Sequence, residues 1–237
     1  MFLSSSELPT RSRRPFAWTD LAARYDAAAA RWQRTMQRLG YPHAYARLLD
    51  ELNRMGDLHR RPLPTRVLDC GLGTGVLGAA FARAVPGVAT VAGVDLSPAM
   101  LHHAAAILTA EGVTAELQQA DARCLPYRDG EFDTVLSAHM LEHLPAPVAA
   151  LREMARVLRP GGLFVVVAAR ANIVDAAIRL KWGHAPLDPS DLTRWMTLAG
   201  IRDVRGHPLG SAWTPARWLS RAFVGWKLSG EHHEKAA

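Results

Sequence analysis

Asp69, Gly71, Gly73 and Gly75 form the first group of residues in this chain whose types and spacing could do chemistry. They lie in VLDCGLGTGVLG, residues 67–78. The run Arg66-Val67-Leu68 reads as a strand ending at Asp69, and a helix is expected from about Thr74. Glycine lets the backbone turn sharply and approach a ligand with no side chain in the way. A helix start aims free N–H groups at whatever occupies the loop. Gly73, Gly75 and Gly78 also satisfy the G-x-G-x-x-G pattern, in which such N–H groups hold a pyrophosphate. Asp69 argues against that ligand. A carboxylate at the mouth of the strand repels a pyrophosphate by on the order of a kcal/mol at close range and attracts a cation instead. The glycines also begin late for a pyrophosphate loop. The D-x-G-x-G-x-G spacing is the more telling pattern.

Asp95 is the second candidate carboxylate. It ends the apolar run VAGVD about twenty residues after the glycines, where a ribose diol needs an acceptor. Dinucleotide sites use the same device, so Asp95 argues for a nucleoside without choosing among nucleosides. S-adenosylmethionine meets both requirements, being a nucleoside with no phosphate and with sulfonium and ammonium cations.

His139 and His143, in HMLEH, have the i, i+4 spacing of helical metal-binding pairs. No third ligand lies nearby in the sequence, so no metal site is expected. His139 falls where the fourth strand should open, and it is the candidate substrate contact or general base. His143 reads as structural, and His102-His103 as solvated surface. Cys70 is read as a spacer within the loop.

These residues need a scaffold, and the apolar pattern supplies one. Short apolar strands are expected at about 66–70, 89–95, 115–119, 132–138 and 162–169, with helices at about 74–85, 97–111 and 146–158. Strand-helix alternation at this spacing predicts an α/β fold with a doubly wound, mostly parallel sheet. Ligands bind such sheets beyond the carboxyl ends of the strands, where Asp69 and Asp95 fall. Two helices are expected before the core. Thr19 can cap one that runs to about Leu39 and stops at Gly40, and Pro42 can open a second that ends near Gly56. After the core, a helix at 188–199 and a strand near 201–207 are expected. TPARWLSRAFVGWKL, 214–228, reads either as an amphipathic helix or as holding a last strand. As a helix bearing arginines beside tryptophans it could rest on a membrane surface.

Composition bounds the rest. The 237 residues are 49% hydrophobic and 21% charged, an ordinary globular balance. The net charge of +6 is uneven: residues 1–66 carry 12 basic and 6 acidic residues, 67–169 carry 6 and 10, and 170–237 carry 10 and 6. Basic flanks around an acidic core suit an anionic substrate, a nucleic acid or a membrane surface. Two cysteines, Cys70 and Cys124, form no disulfide framework, which fits a reducing cytoplasm. Ser12-Arg13-Arg14-Pro15-Phe16 looks like a twin-arginine export signal, but Asp20, Arg24, Asp26 and Arg31 interrupt the apolar stretch such a signal needs. The expected organisation is a disordered basic leader at 1–15, a helical cap and linker at 16–65, and a ligand-binding domain at 66–237. Within that domain, about 170–237 is the substrate side.

The motifs, taken in order, resemble those of class I S-adenosylmethionine-dependent methyltransferases. VLDCGLGTG resembles their first motif and VAGVDLSPAML (91–101) their second. QQADARCLPY (118–127) resembles the third, FDTVLSAHMLEHL (132–144) the fourth, and LREMARVLRPGGLFVVV (151–167) the fifth. Together they cover about 66–169, and the nearest likeness is to small-molecule enzymes of the ubiquinone/menaquinone C-methyltransferase type. The resemblance implies S-adenosylmethionine contacts from Asp69, Gly71, Gly73, Gly75, Asp95, Leu96, Met100 and Ser137. It also implies that Asp121 accepts from the adenine amino group beside Ala122, and that Tyr25, in AARYDAAAARW, closes over the cofactor. His184 and Trp182 fall on the segment that lines the substrate side in this superfamily. Five tryptophans after the core and two before it suggest an aromatic roof over the pocket. The implied partner is a small molecule, apolar or anionic: a quinone precursor, a lipid headgroup or a secondary metabolite. An Asn-Pro-Pro-Tyr-like motif for amide or nucleobase methylation is absent, SAHM standing in its place, and no added RNA-binding domain is evident. Nucleic acid is therefore not the expected partner.

Overall fold

The first strand of the core, β1 (Val67–Cys70), is buried at every position, as expected of a parallel strand covered on both faces. The structure is a computed structural model that describes residues 18–58, 66–88, 90–170 and 187–228, with side chains from 22 onward. Seven strands form one sheet in the order β3-β2-β1-β4-β5-β7-β6. They are β1, β2 (Thr90–Asp95), β3 (Thr114–Gln119), β4 (Phe132–Ala138), β5 (Leu158–Ala169), β6 (Ile201–Pro208) and β7 (Ser220–Lys227). The first five are parallel, and β7 runs antiparallel to both β5 and β6. After β1 the chain moves outward to β2 and β3, then returns to β4 on the other side of β1. That reversal is the switch point at which open α/β sheets bind ligands.

Two apolar layers cover the sheet. On one face α2 (Tyr41–Arg54), α3 (Val76–Ala84) and α4 (Pro98–Ala110) contribute Tyr45, Leu48, Leu49, Leu77, Phe81, Ala104 and Leu108. On the other, α5 (Pro147–Val157) and α6 (Pro189–Leu198) contribute Leu151, Met154, Leu192 and Met196. The long first helix α1 (Trp18–Arg38) packs on α4 and meets α2 at Gly40. Gly40 takes a left-handed φ of 78°, which ends one helix and starts the next.

Three expectations are refined. Helix α3 starts at Val76 rather than Thr74, because the residues up to Gly75 are consumed by the turn. β5 begins at Leu158, four residues before its expected start, since Pro160-Gly161-Gly162 bulges within the strand; its register against β4 shifts between Phe132 and Thr134. The ambiguous 214–228 stretch resolves into a five-residue helix α7 (Pro215–Leu219) followed by β7. β7 lies between β5 and β6 and is buried along almost its whole length. Such a position favours Ala222-Phe223-Val224 as strand over a one-sided helix.

The aromatic roof is corrected for four of its seven tryptophans. Trp226 packs into the core of β7 and Trp195 against α5 and its neighbours, while Trp213 and Trp218 are 94% and 66% exposed. Trp182, His184 and the basic leader lie outside the described residues, as does the side chain of Trp18.

Gly78 shows why α3 sits so close to the sheet. A Cβ there would meet Asp69 Oδ2 at 3.1 Å and Val91 Cγ1 at 3.2 Å. Gly78→Ala should therefore lower stability by about 1–3 kcal/mol, the usual cost of overpacking a dense core, read as a lower urea midpoint. An unchanged midpoint would show that α3 can back away.

Candidate cofactor and substrate site

A cleft opens over the carboxyl ends of β1, β2 and β4. Its floor is the glycine loop. Gly71 and Leu72 donate to the carbonyl of Val94 at 2.8 and 3.1 Å, and Gly75 donates to Leu72 at 2.9 Å. Gly71, Gly73 and Gly75 have φ of 64°, 53° and 76°. The alternating glycines therefore meet a backbone need, since a Cβ is disfavoured in the left-handed region. At Gly71 a Cβ would also lie 2.7 Å from Met140 Cβ.

Two carboxylates organise this floor. Asp69 is buried, its Oδ2 accepting from Gly78 N–H at 3.0 Å. Its Oδ1 has no partner although it is shielded from solvent, and Asp69 lines the cleft. Burial pushes its carboxyl up to about 7, with the neighbouring charge of Asp95 adding to the rise and the Gly78 N–H opposing it. Asp95 accepts from Gly73 N–H and Ser97 N–H, each at 2.9 Å. Burial raises its carboxyl too, against those hydrogen bonds. Asp121 differs. Arg123 engages both its oxygens, with Nη2 at 2.6 Å, and holds the carboxyl below its ordinary value. It lines the cleft as a turn-capping, ion-paired group.

The wall beyond β4 carries the histidines. His139 has a φ of 55°, unusual for a residue with a Cβ, and its N–H is tied to Val167 O at 2.9 Å. Its Nδ1 faces Glu142 Oε1 at 3.6 Å, in ion-pair range but too long for a hydrogen bond. Its Nε2 is buried without a partner. Burial alone would raise Glu142, but the imidazoles of His139 and His143 and the Ala169 N–H, 2.5 Å from Oε1, bring its carboxyl down to about 2. The Tyr41 ring packs edge-on to His139 at 4.9 Å, and its hydroxyl shares a 2.6 Å hydrogen bond with Ser220.

Helices α1 and α2 supply the cover. Tyr25, Trp32 and Met36 line the cleft from α1, and Tyr45 does so from α2. Tyr25 stands edge-on to His143 at 5.5 Å and to Trp32 at 6.5 Å. The Tyr45 hydroxyl is buried without a partner.

Of the residues singled out in the sequence, Tyr25, Asp69, Gly71, Gly73, Asp95, Leu96, Met100, Asp121, Ala122 and His139 line this one cleft. Two do not. Gly75 packs instead on Ala104, which a Cβ would meet at 3.1 Å, and Ser137 is buried within β4 with its hydroxyl unpartnered. Trp32 lines the cleft as one of the tryptophans of the expected roof; sequence reasoning missed Met36, Tyr45 and Met140, and it assigned His143 no place at the cleft, whose wall it forms. The signal for Met36 was present, since Tyr25, Trp32 and Met36 recur at i, i+7 and i+11 along one face of α1.

Among the described lining residues there are three carboxylates and no lysine or arginine. Such a cleft repels a pyrophosphate and suits a cation. Residues 67–162 match the family model of a methyltransferase domain. They form a domain of the class I, S-adenosylmethionine-dependent methyltransferases. The chain is 40% identical over 111 residues to the demethylmenaquinone methyltransferase of Thermus thermophilus, covering 47% of this chain and 50% of that protein. It is 30% identical over 185 residues to norajmaline N-methyltransferase of Rauvolfia serpentina, covering 70% of this chain and 63% of that enzyme. Across curated relatives the matched region spans between 36% and 63% of their length. The fold is shared with magnesium protoporphyrin IX methyltransferase of Synechocystis PCC 6803, solved with bound S-adenosylhomocysteine. That likeness has a TM-score of 0.67 at 19% identity, covering 89% of this chain and 100% of that one.

The methyltransferase domain's floor fits the cofactor by its own chemistry, since the orphaned Asp69 Oδ1 wants a donor or cation and Asp95 stands ready to accept. An Asp69 carboxyl near 7 is largely protonated below that pH and must ionise to hold a cation. S-adenosylmethionine affinity should therefore tighten between pH 6 and 7.5, with proton release that varies with buffer ionisation enthalpy in calorimetry. In Asp69→Asn this pH dependence should flatten; an equal slope in the variant would show that another group titrates.

Proposed function

We propose that this protein transfers a methyl group from S-adenosylmethionine to a nucleophilic atom of a small, mainly apolar acceptor. The reading is carried by the lining of the cleft above a D-x-G-x-G-x-G loop, which is acidic and free of arginine and lysine among the described residues. Bound S-adenosylmethionine supplies an electrophilic methyl group on a sulfonium leaving group. The chain's own residues have three tasks. Asp69 Oδ1, Asp95 and the loop backbone hold the cofactor's cationic and ribose groups. Leu96, Met100, Ala120 and Ala122 give its base an apolar slot beside Asp121. Tyr25, Trp32, Met36, Tyr45 and Met140 exclude water and present an apolar surface to the acceptor. Holding reactants in near-attack geometry can supply roughly 7–11 kcal/mol, so alignment is the larger part of the catalysis.

The same lining narrows the acceptor. The basic flanks allow an anionic substrate, yet no cationic side chain among the described residues lines the cleft, so an apolar or neutral acceptor fits better. His139 takes the acceptor's proton where the nucleophile carries one, through its unpartnered Nε2, while Glu142 stabilises the imidazolium from the Nδ1 side. The quinone-type and alkaloid substrates implied by the relatives' names are apolar ring systems, and this class of acceptor is the one proposed here.

The test is to supply methyl-labelled S-adenosylmethionine with an extract of metabolites and lipids and to identify the labelled product. Label in an apolar small molecule is expected. Binding of NAD(H) in place of S-adenosylhomocysteine, or label confined to RNA, would overturn the proposal. With the acceptor in hand, His139→Ala should lower kcat by about 10²–10⁴-fold, the range for a general base, with S-adenosylhomocysteine affinity within about twofold. An unchanged kcat would remove His139 from the chemistry.

A further inference from the structure

The cover of the cleft is fastened by a residue that does not line it. Asp26 follows Tyr25 on α1, and its Oδ1 accepts from Ser97 Oγ at 2.5 Å and from Ala99 N–H at 3.1 Å. Ser97 is the N-cap of α4, its hydroxyl oxygen accepting from Met100 N–H at 3.1 Å. Asp26 thus adds a second acceptor, from a different helix, to the free N–H groups of α4. The connection continues inward. Ser97 N–H donates to Asp95 Oδ1, and Asp95 Oδ2 accepts from Gly73 N–H. One chain of hydrogen bonds therefore runs from α1 through the start of α4 to the proposed ribose carboxylate and the glycine loop.

We propose that Asp26 is a positioning residue that latches α1 across the cleft and ties the cover to the cofactor loop. The inference rests on the methyltransferase reading of the site. α1 has a face made of Tyr25, Trp32 and Met36 turned to the cleft, and Ala28 and Ala29 are buried nearby. Its small alanine side chains allow close approach to α4 but give little contact area to hold it there. The polar latch fixes the angle at which Tyr25 stands over the cleft. Cofactor entering beneath the cover contacts Asp95, and Asp95, Ser97 and Asp26 share donors, so the latch and the cofactor favour the same arrangement. Residence time of the cofactor is then governed partly from outside its own binding site.

The full chain, Asp26→Ala and Asp26→Asn are compared by stopped-flow binding and release of S-adenosylhomocysteine, with thermal unfolding alongside. Loss of a cap-type acceptor should speed release by about fivefold in Asp26→Ala, with the association rate within about twofold and the unfolding midpoint lowered by only about 2–4 °C, the shift a capping loss gives a chain of this size. Asp26→Asn keeps the acceptor oxygen and should restore most of the slow release, which a role for the charge alone would not do. Release from Asp26→Ala at the parent rate would overturn the latch and leave the cofactor assignment standing. Equal loss of thermal stability and of affinity in both variants would also overturn it, marking Asp26 as merely structural. Failure of the parent protein to bind S-adenosylhomocysteine would overturn the methyltransferase reading and this inference with it.

Discussion

A single buried carboxylate, that of Asp69, sets most of the geometry around it. One of its oxygens is satisfied by the Gly78 N–H and the other has no partner. The satisfied oxygen draws α3 onto β1 and leaves little room for a Cβ at 78. The helix must then start close to the strand, which is why the intervening loop turns through left-handed conformations at 71, 73 and 75. The unsatisfied oxygen is costly without a ligand, on the order of 1–3 kcal/mol for an orphaned buried polar group and more for a charged one. Its carboxyl responds by rising to about 7. A cation in the cleft would offset that cost. The same residue is therefore a packing element when the cleft is empty of charge and a binding element when a cation enters.

The second fixed point is the carboxyl end of β4. Glu142 is buried, and the Ala169 N–H and the adjacent imidazoles bring its carboxyl down to about 2. It links the turn after β4 to the end of β5 and keeps His139 in a backbone conformation that costs energy for a residue with a Cβ. Tyr41 braces the imidazole from α2 and reaches β7 through Ser220. Four elements thus converge on one histidine. Strain held in place from several sides is how a fold keeps a reactive group aimed.

Much of this was legible in the sequence because the underlying requirements are local. Glycine spacing follows from backbone φ, strand identity from burial on both faces, and the Asp95 position from the length of one strand-helix-strand unit. The β5 bulge, the division of 214–228 and the placing of the tryptophans were not legible in the same way. Trp213 and Trp226 are equally apolar in a sequence window, and only their tertiary neighbours decide that one is exposed and the other buried. Asp121 makes the same point for a polar residue. Its position in the motif implies a cofactor contact, while Arg123 two residues on occupies its oxygens. His143 was read as structural because its partner Tyr25 lies 118 positions earlier, and no local pattern records that contact.

The boundary of the family match then acquires a physical meaning. The matched domain ends at 162 and starts at 67, so it contains the cofactor floor and the histidine wall but none of the cover. Tyr25, Trp32, Met36 and Tyr45 all come from outside it. On the proposed reading, a floor that recognises one fixed cofactor depends on Asp69, Asp95 and the glycines, all of which lie inside the matched residues. A cover has only to exclude water and fit one acceptor, and many apolar surfaces do that. On that reading, fit to the acceptor falls to α1 and α2, which supply Tyr25, Trp32, Met36 and Tyr45 from outside the matched residues. The hydrogen-bond chain from Asp26 through Ser97 to Asp95 is the place where the cover, outside the matched residues, is joined to the floor within them.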